Sequence, residues 1–566
     1  MFDKSVLRWG KDSGLGSERA TIAREGSHED WGAQMPGAGI VLVPACASTQ
    51  NTTPSRAHPR LRADRMTDVA HPQNDSTPAA TTSSLYIDGA ARSTVETTAI
   101  TDPARPTRIV GRAAAASTAD VADAVTAAKG AFAQWSALTP QERARLMTEA
   151  VADIATDRDG DAALLSRENG KIVAEAWVDA LVFELRWRQA LTLADQVDAA
   201  AVLHAEPGVP VETTVTYQPL GVVTVIVPFN WPLAILAASL PYALLAGNTV
   251  IVKPPLTAPL ATARLVQRVA ERLPAGVLNV VTGADAHMTG LIRNDDVAKV
   301  CFTGSVGGGR RMMALAAPTL TRVTLELGGN DAAIVFDDAP LDEEHLDRLF
   351  HAVFDSTGQI CMNAKRIYVH RSRLDELVAG LSERLEQVVL GDGTDPKTTM
   401  GPLHSAAQKE FVDALIAEAK ADGADVREFG ELPGGELAAG NFVRPAIVVE
   451  PATQLRVVAD EQFGPVIPVI AFDDEAEAIR QANDSWAALG GSVWTMDGAR
   501  ARRVARQLVC GYVWVNDHGA NRLDLRAPFG GLKSSGMGRE QGLDGLRDFQ
   551  DPRAVAVLES ETLESA

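Results

Sequence analysis

Along this chain, apolar residues recur in two rhythms. Short runs rich in Val and Ile alternate with longer stretches in which apolar positions return at helical spacing. Residues 221–227, 249–253, 277–281 and 297–302 are strand-like runs. Residues 118–135, the stretch after Pro140, 232–245 and 259–272 carry the helical period. A second block opens near Gly328 with a strand at 331–336 and helices around 341–354. It continues with a strand at 365–369, a helix at 375–389 and a strand at 443–449. Repeated strand–helix–strand order predicts parallel sheets covered by helices. The expected fold class is therefore α/β, with two doubly wound parallel-sheet domains. The first domain takes residues 85–201 and 220–327, the second 328–540. Ligands are expected where the two face each other.

The first part of the chain breaks this pattern. Residues 1–84 mix charges with Ser, Thr, Pro, Gly and Asn and read as a disordered extension, with 77–84 as linker. The apolar patch 39–46 resembles a signal-peptide core, but it lies far from residue 1 with no basic segment just before it. Met66 offers an alternative start.

Composition narrows the function classes. The 566 residues are 46% hydrophobic, enough for more than one core, and the formal net charge is −20. That charge argues against nucleic acid or an anionic membrane surface as partner. The four cysteines, Cys46, Cys301, Cys361 and Cys510, match neither a disulfide framework nor a zinc site, so no metal is expected. Scattered cysteines suit a reducing cytoplasm, and no apolar run has the length of a membrane span.

Three segments carry candidate chemistry. In Phe354-Asp-Ser-Thr-Gly-Gln-Ile-Cys-Met-Asn363, a Cys follows Gly-Gln on a turn between helix and strand, where amide dipoles favour a thiolate. A lone Cys with this flank is as often a buried structural residue. In Leu325-Glu-Leu-Gly-Gly-Asn330, a carboxylate between leucines gains a raised pKa and the capacity of a general base, unless it is only a surface residue on a strand end. In Val227-Pro-Phe-Asn-Trp-Pro232, an Asn directly after a strand can aim its amide at a developing oxyanion, or merely cap a turn.

Together these pieces resemble the aldehyde dehydrogenase superfamily from about Leu85 to the C-terminus. Pro228-Phe-Asn-Trp-Pro232, Gly247-Asn-Thr-Val-Ile-Val-Lys-Pro254, Phe302-Thr-Gly-Ser305, Leu325-Glu-Leu-Gly-Gly329, Gly358-Gln-Ile-Cys361, Glu461-Gln-Phe-Gly-Pro465 and Pro528-Phe-Gly-Gly531 occur in the family's order. The resemblance implies oxidation of an aldehyde to a carboxylic acid with reduction of NAD or NADP. Cys361 would be the nucleophile, Glu326 the base that activates water, and Asn230 the oxyanion donor. It implies cofactor contacts at Lys253, Ser305, Gly304, Glu461 and Phe463, with Pro228, Trp231 and Gly328 beside them.

Two departures stand out. Many NAD-preferring relatives carry a Glu three residues after the Lys, where this chain has Leu256, which opens the way to NADP. NAD stays the expectation because no basic residue obviously replaces the Glu, Arg264 and Arg268 being expected to face elsewhere. Gly308 falls where relatives carry a bulkier residue and predicts a looser turn with weaker cofactor ordering. Gly304 and Gly309 have P-loop spacing, but Arg310-Arg311 follows, which argues against an ATP site.

Other features weigh less. Cys301 and Cys510 are expected to be structural. His518 and Arg522 lie in a loop that shapes the substrate entrance in relatives, where an Arg can grip an acidic group. Residues 202–219 resemble the family's oligomerisation hairpin, and 541–566 its C-terminal counterpart, with 554–557 able to join a neighbour's sheet. A homodimer or homotetramer is the expectation. The alternatives are a CoA-acylating semialdehyde dehydrogenase, which Glu326 argues against, and a catalytically inactive binding member of the fold. A cofactor-free cysteine hydrolase would lack a His in the Cys motif.

Overall fold

The computed structural model describes residues 81–206, 209 and 211–558. The apolar patch at 39–46, Cys46 and Met66 lie outside the described residues.

Five strands make the centre of the first sheet: β1 (Val222–Ile226), β2 (Thr249–Lys253), β3 (Leu278–Val280), β4 (Val297–Thr303) and β5 (Arg322–Glu326). They are parallel and stand in the order β5-β4-β1-β2-β3. Three of the crossings run through α1 (Pro232–Leu245), α2 (Leu260–Ala270) and α3 (Val306–Ala316). Every residue of β1 and β2 is buried, as expected of strands covered on both faces. Alternation then sorts their side chains. Val223, Val225, Val250 and Val252 pack with α1 on one face, while Val222, Ile226 and Ile251 face Val125 and Leu291 on the other.

The chain winds outward from β1 through β2 and β3, then crosses back to lay β4 on the opposite side of β1. At such a reversal the loops after two neighbouring strands leave in opposite directions and open a crevice at the carboxyl edge. Here it lies beyond β1 and β4. Short antiparallel strands flank the five: Leu85–Ile87 beyond β3, and Gly536–Met537 beyond β5.

The second sheet holds β6 (Asp331–Val335), β7 (Ala364–His370), β8 (Ala446–Val449), β9 (Val466–Phe472), β10 (Gly490–Trp494) and β11 (Tyr512–Val515). They run parallel in the order β8-β9-β7-β6-β10-β11, with Asp425–Glu428 antiparallel outside β8. Helix α4 (Glu343–Phe354) is capped by the Asp342 carboxylate, which accepts from the His345 N–H at 3.0 Å.

The two-sheet α/β expectation therefore holds, and one detail differs. Thr81 and Thr82, read as linker, form a strand paired with Gly111 and Arg112, so the folded body starts before residue 85. The terminal strand Gln550–Leu558 is an edge strand. It pairs along its whole length with Val211–Pro219 of its own chain, and Ala201–Leu203 completes a three-stranded sheet. An antiparallel partner with matching length was already present in the chain. No helix among the described residues is long and apolar enough to cross a membrane.

Asn248 ties the C-terminal segment to the first sheet. Its fully buried amide donates to Ala243 O at 3.1 Å and Phe549 O at 3.0 Å, and accepts from the Gly221 N–H at 2.9 Å. Asn248→Leu should strand these groups and cost about 3 kcal/mol, read as a lower midpoint in chemical denaturation. An unchanged midpoint would show that the tie carries no stability.

Candidate active site

Cys361 sits on the turn between α4 and β7. Three successive residues before it, Ser356, Thr357 and Gly358, have left-handed backbones, with φ of 57°, 56° and 74°. For Ser and Thr this conformation is strained, and surrounding bonds hold it. The Ser356 N–H donates to the Glu175 carboxylate at 2.6 Å, the Thr357 hydroxyl to Gly401 O at 3.1 Å, and the Asn363 amide to Val353 O at 3.0 Å. Gly358 is required by close approach as well, since a Cβ there would lie 2.2 Å from Gly464 O.

Glu326 ends β5, and the Gly pair after it lets the two sheets' edges meet. A Cβ on Gly328 would lie 2.1 Å from the Glu461 carboxylate, and one on Gly329 would lie 2.4 Å from Cys361 O. The Gly329 N–H donates to Glu461 Oε1 at 3.1 Å. Cys361, Glu326, Glu461 and Gly328 thus come together although they lie far apart in sequence. Gly536 pairs with Glu326 from the other side, so the C-terminal Gly-rich segment fixes the end of β5.

The electrostatics follow from burial. Glu326 is buried, and neither oxygen makes a well-formed hydrogen bond among the described residues. Burial first, then the charge of Glu540, pushes its carboxyl well above the usual range. Burial raises Glu461 to about 7, against the pull of Lys365. Burial pushes the Cys361 thiol up to about 12, and the charges of Glu461, Asp331 and Glu326 add to it, with Lys365 opposing. Burial is the larger cause and the neighbouring carboxylates the smaller, and both oppose the thiolate that the turn's amide dipoles favour.

Asn230 follows β1 and is buried. Its amide donates to Gln359 O at 2.9 Å, on the cysteine turn itself. An amide has a second N–H, which this bond leaves available. Pro228 and Trp231 flank it. The Trp231 ring is covered by Lys171 Nζ, 4.1 Å from its centroid.

The remaining predicted residues line the carboxyl edge of the first sheet. Lys253 ends β2, Gly304 follows β4, and Ser305 caps α3 by accepting from the Gly308 N–H at 3.1 Å. The N–H groups of a helix's first turn have no partner within it and attract anions. Here the approach is open: a Cβ on Gly307 would meet nothing closer than Arg311 at 3.8 Å. A diphosphate fits this cradle. Gly308 makes no looser turn, because it lies buried within α3, where a Cβ would strike the Phe302 ring at 2.6 Å. Phe463, with φ of 46°, stands edge-on to Phe229 at 6.1 Å.

The entrance-loop reading of His518 is corrected. The ring is buried, bonded to Ser492 Oγ at 2.8 Å and Met362 O at 3.1 Å, and stacked on Trp514, with burial lowering its pKa to about 3. It props up the cysteine turn as a neutral ring. Arg522 is exposed and bonded to Asp517 at 2.7 Å.

Sequence reasoning missed two groups. Lys365 is a buried lysine whose Nζ donates to Gly358 O at 2.9 Å and lies 5.4 Å from the Phe463 ring. A Lys opening a buried strand was its only signal. The second group is Leu489, Trp514 and Phe529, which complete an apolar wall beside Cys361 with Ile360 and Met362, two residues whose apolar character the sequence already offers for the pocket. Trp514 and Phe529 come from segments some 150 residues downstream, so only folding brings them to the sulfur.

Comparison with known proteins agrees with this geometry. Residues 90–555 match the model of the aldehyde dehydrogenase family. The betaine aldehyde dehydrogenase of Rhizobium etli (strain CIAT 652) is 36% identical over 459 residues, which cover 79% of this chain and 91% of that protein. A crystal structure of betaine aldehyde dehydrogenase from Staphylococcus aureus, a point mutant in complex with NAD+, superposes with a TM-score of 0.79 at 32% identity, covering 85% of this chain and 97% of the other. Lactaldehyde dehydrogenase from Escherichia coli gives a TM-score of 0.80 at 30% identity, covering 85% and 100%. The chain therefore belongs to the aldehyde dehydrogenase family and is an oxidoreductase acting on aldehydes.

Proposed function

We propose that the enzyme oxidises an apolar aldehyde to its carboxylic acid with NAD as hydride acceptor, Cys361 being the nucleophile and Glu326 the general base. The observation that carries this reading is the Gly328–Gly329 junction, which sets the half-buried Cys361 against the end of the strand that carries the buried Glu326, whose charge acts on the thiol.

The steps follow from the residues. Glu326, once ionised, takes the Cys361 proton, and Sγ forms a bond to the carbonyl carbon. The negative charge moves to the carbonyl oxygen, where the free N–H of Asn230 and the Cys361 backbone N–H stabilise it. NAD, when bound, supplies the acceptor for the hydride that leaves this carbon, and the product on the enzyme is a thioester. Glu326 then takes a proton from water, the hydroxide attacks the thioester carbon, and the C–S bond breaks to release the acid.

The carboxyl edge of the first sheet, with Lys253, Gly304 and Ser305, would hold the dinucleotide, and Glu461 and Phe463 the end nearest the sulfur. This assigns 85–201 and 220–327 to the cofactor and 328–540 to the cysteine. The wall of Trp514, Phe529 and Met362 favours an apolar substrate body. Exposed Val202, Leu203, Val555 and Leu558 on the three-stranded sheet support a homodimer or homotetramer.

Three outcomes are expected. Cys361→Ala should abolish NADH formation with any aldehyde. Glu326→Gln should keep a first-turnover burst of NADH and lose steady-state rate by about a hundredfold or more. The base is active only when ionised and its pKa is raised. The wild-type hydrolytic rate should therefore climb as pH rises past the ordinary carboxylate range, and that limb should vanish in Glu326→Gln. Wild-type turnover by this variant would remove Glu326 from the mechanism. Without nucleotide, Cys361 should alkylate slowly at neutral pH, the rate rising about tenfold per pH unit. Lys365→Met should slow it further. A plateau below pH 8 in the wild type would show a preformed thiolate.

A further inference from the structure

Lys253 and Asp285 stand at neighbouring positions on the carboxyl edge of the first sheet. Lys253 ends β2, and Asp285 begins the short turn of helix after β3, the strand paired in parallel with β2. Asp285 Oδ1 lies 3.1 Å from Lys253 Nζ, and among the described residues no other carboxylate pairs with this lysine. Their exposures differ sharply. The lysine side chain is 8% exposed and the aspartate 83%. The ammonium is therefore held in place by the fold, while the carboxylate stands out over the crevice edge where a nucleotide's ribose would lie. Leu256, three residues past Lys253, is 39% exposed and brings no charge to this place.

We infer that Asp285 is the residue that makes this enzyme discriminate NAD from NADP. The inference rests on the cofactor reading above and sharpens it. A ribose with both hydroxyls free presents donors and acceptors together. The Lys253 ammonium donates to one oxygen, and the Asp285 carboxylate accepts from the 2′-hydroxyl, the arrangement that open α/β sheets use for NAD. A 2′-phosphate reverses the balance. It has no proton to give the carboxylate at neutral pH, it adds about two negative charges beside it, and it is best received by a cation that is not already paired.

The nearest candidates are already spent. Arg264 is paired with Asp157 and with Asp161 at 3.3 Å, and Arg268 with Asp161 at 3.1 Å, on the far side of α2. His287, two residues beyond Asp285, directs Nδ1 to Thr118 Oγ1 at 3.4 Å. Among the described residues the cation that ends β2 is Lys253, and Asp285 already balances it.

The test uses full-length protein and two probes that lack nicotinamide, ADP-ribose and its 2′-phosphate, titrated by protein fluorescence. The wild type should bind ADP-ribose at least about tenfold more tightly than the 2′-phosphate, and the gap should narrow with added salt. Asp285→Asn keeps the shape and removes the charge. It should tighten the 2′-phosphate and weaken ADP-ribose, shrinking the ratio about tenfold, with NADP against NAD following the same order. An unchanged ratio in Asp285→Asn would overturn the role of Asp285 while leaving the cleft assignment standing. Binding of neither probe by the wild type would overturn the cleft assignment itself, and the inference with it.

Discussion

The end of β5 meets the turn that carries Cys361 because two consecutive residues have no side chain. Gly328 and Gly329 let the end of β5 lie against the Glu461 carboxylate and the carbonyl of Cys361, at separations no Cβ would tolerate. Everything chemical follows from that contact. It joins the carboxyl edge of a nucleotide-type sheet to the turn that carries the sulfur, and it encloses several carboxylates in a volume too small to ionise them all. Burial raises each of them and raises the thiol as well. A ligand that alters solvation or charge there alters the readiness of the sulfur.

Much of the fold was legible in the residues. Uninterrupted Val and Ile at 222–226 and 249–253 mark strands covered on both faces, and α1 begins at Pro232 as its sequence suggests. Cys361, Glu326 and Asn230 were legible as candidates, since each occupies a segment whose backbone geometry restricts the residues allowed. What remained hidden depends on distance in space. Lys365 looks like any residue opening a strand until its Nζ is seen capping Gly358 O. His518 has the sequence context of a loop residue, yet its ring is buried beneath the cysteine turn. Gly308 was misread because the Phe302 ring that demands a glycine is not adjacent to it in sequence.

Local rules also leave out what a distant partner supplies. The terminal strand carries alternating apolar residues and reads as an edge. On one side its partner is the chain's own Val211–Pro219, which only a long loop closure could supply. The amide dipoles around Cys361 are likewise local, whereas the burial and the carboxylates that oppose them come from distant segments.

The pairing of Gly536 with Glu326 has a further consequence for biogenesis. The general base belongs to a strand made midway through synthesis, yet its neighbour on that edge arrives only with the closing stretch of the polypeptide. A nascent enzyme, or one clipped near its tail, lacks the strap that orients the base. The strand that carries the proposed base is thus flanked on both edges only after the whole second sheet has been made.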